Sequence, residues 1–77
     1  ISTSKPRQIK EIIINDGMEF RRELAVGGGE TTNAILALLG TPKSESTSTI
    51  KALGNLAAKT QNDLDLAESI ISIYEIK

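Results

Sequence analysis

Three consecutive glycines, Gly27, Gly28 and Gly29, set the first limit on how this chain folds. Each costs a helix interior about 1 kcal/mol relative to alanine, so no helix runs through all three. Gly40 followed by Pro42 makes a second break, the usual punctuation just past a helix end. Between the breaks lies the run Ala-Ile-Leu-Ala-Leu-Leu, residues 34–39. Thr31 or Thr32 is expected to cap a short helix over residues 33–39. That helix is apolar on nearly every side, which places it at the centre of the domain.

The glycines leave room for helices on both sides. Ser4 can cap a helix whose first turn holds Pro6. Ile9, Ile12, Ile13 and Ile14 then recur at helical spacing. Asn15-Asp16-Gly17 interrupts this run, and two readings stay open. In one, Gly17 ends a first helix and Asp16 caps a second, with Glu19 completing a capping box. In the other, Asp16-Gly17 is a turn and residues 18–26 are a short extended segment, since Met18, Phe20, Leu24 and Val26 partly alternate. Residues 41–49 carry six hydroxyls in nine positions and read as a polar loop. Ser46, Thr47 or Ser48 is expected to cap the next helix. Ile50, Leu53, Leu56 and Ala57 make its apolar stripe, and Gly54 weakens it unless something packs closely there. Asn62 or Asp63 caps a last helix that carries two stripes. One is Leu64, Ala67, Ile71 and Tyr74; the other is Leu66, Ile70, Ile73 and Ile76. The expected fold is all-α: one compact domain over residues 1–77, a small bundle of four to five short helices. Residues 1–5 are expected to fray, and residues 27–30 and 41–46 to be loops. The start at Ile1 suggests a piece of a longer protein.

Composition narrows the chemistry. The chain has no Cys and no His. No disulfide framework, ordinary zinc site or histidine-assisted nucleophile can be built from it. Asp63 and Asp65 diverge on a helix, and Glu19 and Glu23 read as a solvated helix face, so no acid–base pair stands out. The glycine turn resembles a phosphate loop only loosely: it lacks a Lys, and Glu30 would repel phosphate. The hydroxyl-rich loop reads as solvated, with phosphorylation as the sharper alternative. No cofactor and no enzymatic activity are expected. The longest apolar run is far too short to span a bilayer.

Charge is uneven although the formal net is −1. No acid occurs among the first ten residues, whereas residues 61–77 carry four acids and one Lys. Arg21 and Arg22 are adjacent, so one of them faces solvent. No aromatic residues interleave the basic ones, which argues against base stacking on single strands. Charge placement nominates Arg21, Arg22, Lys43, Lys51 and Lys59 as a basic face for an acidic partner segment.

Glu11 to Ile14, Gly17, Glu19-Phe20, Val26-Gly27-Gly28-Gly29 and Ala34-Ile35-Leu36 follow one another in an order similar to a known one. It resembles the C-terminal domain of a rhabdovirus phosphoprotein, especially the vesiculovirus kind, over residues 9–40. The resemblance implies a small helical domain that binds the RNA-bound nucleoprotein and tethers the viral polymerase to its template. It also implies contact with nucleoprotein and not with bare RNA, no membrane, no catalysis, and a monomer as an isolated domain. The location would be the host cytoplasm or the virion, and the nucleus for some members. The competing reading is a small helical oligomerisation or interaction module that uses the apolar excess of the last helix. A helical DNA-binding regulator fits the charge balance poorly.

Overall fold

The computed structural model describes residues 4–77. It is an all-α bundle of four helices: α1 (Lys5–Val26), α2 (Glu30–Leu39), α3 (Ser46–Lys59) and α4 (Asp63–Ile73), with a 3-10 turn, Lys43–Glu45, leading into α3. No strand occurs among the described residues. The extended alternative for residues 18–26 is therefore overturned. Those residues continue α1, because Phe20 and Leu24 fall on the same buried stripe as Ile9 and Ile13.

That stripe explains how the chain is organised. Ile9, Ile13, Gly17, Phe20 and Leu24 are all buried, at steps of four, four, three and four residues. Gly17 thus occupies a core position, and the break expected at Asn15-Asp16-Gly17 survives as a kink that joins two helical stretches. The helix bends one residue earlier, at Asp16, whose backbone leaves the helical region (φ −123°, ψ 28°). Its 22 residues would reach about 33 Å if straight, so the bent helix is shorter than that limit, against a longest molecular dimension of 35 Å. α1 spans the domain, and the other three helices all pack on it.

The central place expected of α2 belongs to α1 instead. α2 buries Thr32, Ile35 and Leu36, but Ala34 and Ala37 face solvent. Alanine makes a helix look apolar all round while having little side chain to bury. α3 contributes Leu53 and Ala57 to the core, with Ile50 and Leu56 partly buried. In α4 the buried set is Leu66, Ala67 and Ile70, drawn from both sequence stripes. Leu64 and Ile73, one from each stripe, are left exposed.

Helix ends follow local chemistry in most places. The Ser4 hydroxyl accepts from the Arg7 N–H, and Pro6 lies in the first turn. The Asn62 side chain accepts from the Asp65 N–H. Gly27 (φ 98°) and Gly40 (φ 71°) end α1 and α2 in the left-handed region. Glu75 takes the same conformation (φ 51°) after α4, and the Ile76 N–H reaches back to the Ile71 carbonyl. Some boundaries shift. Lys5 is already helical, and residues 1–3 lie outside the described residues. Glu30 begins α2, so the first loop is the glycines alone, and neither Thr31 nor Thr32 is its cap. α3 starts at Ser46 with Glu45 as its N-cap and no side-chain capping bond. The 3-10 turn feeds directly into it, and its N-terminal N–H groups are met in part by the main chain of that turn.

Candidate functional site

The five basic residues nominated by charge placement fall into three situations. Arg21 points inward. Its Nε donates to Asp63 Oδ1 at 3.1 Å, its Nη1 to the Ala57 carbonyl at 2.8 Å, and its Nη2 to the carbonyls of Thr60 and Gln61 at 2.7 and 3.1 Å. The guanidinium fork therefore holds the end of α3 and the start of α4 against α1. Carbonyls at a helix C-terminus have no intrahelical donor, and a planar cation is well suited to supply one. Gly17 lies one turn before Arg21, and the Asp63 carboxylate rests against it. A Cβ at that position would sit 2.6 Å from Asp63 Cγ. Gly17 and Arg21 together make the socket that receives the α3–α4 corner.

Arg22 is the solvent-facing member of the pair. It reaches only Glu19, at 3.8 Å along the same helix. Lys43, Lys51 and Lys59 are exposed and form no ion pair among the described residues. Lys43 lies in the 3-10 turn before α3, Lys59 at its last position, and Lys51 between them.

Lys51 stands on the wall of a groove between α1 and α3. The groove is a depression of about 510 Å³ continuous with a second of about 280 Å³, both bounded by Leu24, Ala25, Ile50 and Lys51. Gly54, Ala57 and Ala58 line it from α3, and Arg21 closes one end. Small residues on facing helices leave this space open. No carboxylate lines either depression. Of the nominated residues, the structure brings Arg21 and Lys51 to the groove, but the Arg21 donors are already committed within the fold. Arg22, Lys43 and Lys59 do not line it.

Glu23 corrects another expectation. It is not part of a solvated face. Its carboxylate reaches the α2 N-terminus and accepts from the Thr32 N–H (2.8 Å), the Thr32 hydroxyl (3.0 Å) and the Thr31 N–H (3.3 Å). Gly29, the α2 N-cap, has no side chain to do this, and a Cβ there would meet the Glu23 carboxyl at 2.5 Å. The Glu23 carbonyl meanwhile accepts from the Gly27 and Gly28 N–H groups. One residue thus ties off the end of α1 and caps α2. Burial works to raise the Glu23 carboxyl pKa, but the hydrogen bonds from Thr32 and Thr31 outweigh it and hold the group below its ordinary value. The fully buried Thr32 hydroxyl is satisfied by the same contact.

The signal for Glu23 in the sequence is an acid just ahead of a glycine turn that opens onto two threonines. Nothing comparable marks the socket at Gly17 and Arg21, whose partner lies 42 residues away from Arg21. Among the described residues there is no cluster of acids suited to a metal, and no helix long and apolar enough to cross a membrane. No family model, curated protein or solved structure matches the chain.

Proposed function

We propose that this chain is a protein-docking domain whose α1/α3 groove takes an acidic, flexible segment of a partner. The observation that carries this reading is Lys51, an unpaired cation on the wall of a groove of mixed apolar and polar lining that no carboxylate lines. Lys43 and Lys59 flank it along α3 and add to the attraction at longer range. Apolar side chains of the segment would fill the space beside Leu24, Ile50 and Gly54, while its carboxylates meet Lys51. Such complementarity sets approach and orientation more than affinity. In the phosphoprotein reading the partner is the RNA-bound nucleoprotein, contacted without bare RNA, in the host cytoplasm or virion. The domain then tethers the polymerase and carries out no catalysis.

Titrating the isotope-labelled domain with nucleoprotein–RNA rings, and separately with an acidic amphipathic peptide, tests the two levels of this reading. Amide shifts centred on Ala25, Ile50, Lys51 and Gly54, lost in Lys51→Glu, are expected. Peptide binding without ring binding would keep the groove and remove the nucleoprotein. Silence with both ligands at high micromolar concentration would remove the docking function.

A further inference from the structure

α3 has a second groove on its other flank, and its charge is opposite. Leu56, Asp65, Glu68, Ser69, Ser72 and Ile73 bound a depression of about 420 Å³ between α3 and α4. No basic residue lines it. Asp65 has no ion-pair partner among the described residues, and Glu68 has only Lys10, 3.9 Å away with both side chains about half exposed. Such a pair contributes little and leaves Glu68 open to a better partner. Ile73 is 60% exposed at the edge of this groove.

One molecule therefore carries a groove with an unpaired cation and no acid, and a mostly polar groove with two anions and no base. They cannot meet within a copy, because α3 stands between them. We infer that the domain self-associates head to tail, with the acidic α3/α4 face of one copy seated at the Lys51 groove of the next. Lys51 then faces Asp65 and Glu68, and Ile73 fills apolar space beside Ile50. The inference shares its groove with the docking reading but is independent of the partner's identity. Because the two surfaces differ, the contact is heterologous: it leaves one groove free at each end and grows unless it closes into a ring. Each surface is small and brings few unpaired charges, so the association is weak and falls with salt. A seated copy occupies the groove and competes with an acidic ligand.

Charge reversal gives a test specific to this geometry. Sedimentation velocity on the wild type at low salt is expected to show a concentration-dependent rise. Lys51→Glu alone, and Asp65→Lys with Glu68→Lys, are each expected to weaken association by about tenfold or more, since like charges then face each other. Mixing the two variants restores opposite charges at every junction and is expected to recover assembly. Concentration-dependent amide shifts in the wild type serve as a measurement that needs no variant, and are expected at both grooves together. A wild type that stays monomeric to about 1 mM, where even weak contacts register, overturns the inference. Association that ignores both reversals, or a mixture that fails to assemble, overturns it equally. Failure here is distinct from failure of the docking reading: the Asp65→Lys, Glu68→Lys variant keeps its Lys51 groove and still reports on acidic peptide binding.

Discussion

Replacing Arg21 by alanine separates the two roles open to this residue, internal tie and partner contact. The structure gives the guanidinium two short bonds to main-chain carbonyls, at 2.8 and 2.7 Å, in a part-buried setting. Hydrogen bonds to a charged group contribute about 1.5–3 kcal/mol each. The bond to the Gln61 carbonyl is exposed and adds little. The Asp63 pair, with side chains 26% and 38% exposed, adds up to about 1 kcal/mol. Ordering a long side chain opposes these by about 1–2 kcal/mol, and water reaches the carbonyls once the arginine is gone. The net loss for Arg21→Ala is therefore about 2–4 kcal/mol, against a total of roughly 4–12 kcal/mol for a chain of this length. Urea unfolding followed by circular dichroism measures it directly, and the melting temperature is expected to fall by roughly 10–30 °C. Arg21→Lys keeps the charge but loses the fork, and is expected to recover about half of the loss. If Arg21→Ala costs less than about 0.5 kcal/mol, the guanidinium is not a tie in solution, and Arg21 becomes free for a partner.

Other consequences follow from the glycines and from Glu23. Gly17→Ala is expected to cost about 1 kcal/mol by turning Asp63 away from Arg21, and to become neutral or stabilising once Asp63 is alanine; a double-mutant cycle in urea reads the coupling. Gly54→Ala is expected to stabilise the fold by about 0.5–1 kcal/mol, because the nearest atom to the new Cβ, the Leu24 carbonyl oxygen, is an ordinary 4.0 Å away; a lower melting temperature would contradict this. The folded-state pKa of Glu23 is depressed, so its carboxylate stabilises fully above its ordinary value of 4.5, and that contribution is lost as pH falls through the lower folded value. Glu23→Gln is expected to cost about 1 kcal/mol near neutral pH and to flatten the acid limb of the stability profile; an unchanged acid limb would show that the carboxylate does not cap α2.

Signals confined to a few neighbouring residues are legible in this sequence. Ser4 with Pro6, the glycine after each of the first two helices, and Asn62 before α4 all stand where local backbone chemistry puts them. Gly17 is half legible: the break beside Asn-Asp is present as a kink at Asp16, but the buried place of the glycine is hidden. Only α4, arriving from far along the chain, shows that the missing side chain is room for Asp63. Arg21 fails for the same reason: adjacent arginines reveal that one faces out, not which one or what the other holds. Of the site, sequence charge shows Lys51. The groove beside it is hidden, since its walls are the small residues Ala25, Gly54 and Ala58, whose spacing carries no pattern until two helices face each other.

Two polar ties of the bundle, one made by Glu23 and one by Arg21, close loops of very different length. Glu23 and Thr32 are 9 residues apart, whereas Arg21 and Asp63 are 42 apart. Chain entropy makes the longer closure costlier by about 1.4 kcal/mol, before any packing is counted. The α1–α2 corner can thus form from its own neighbourhood, while the α3–α4 corner waits for the apolar face of α1 to draw it in. Opening runs in reverse, and amide exchange is the measurement that reads it: α4 loosens first while α1 and α2 stay clasped. Since α4 forms one wall of the acidic groove and no wall of the basic one, the domain's two faces differ in rigidity as well as in charge.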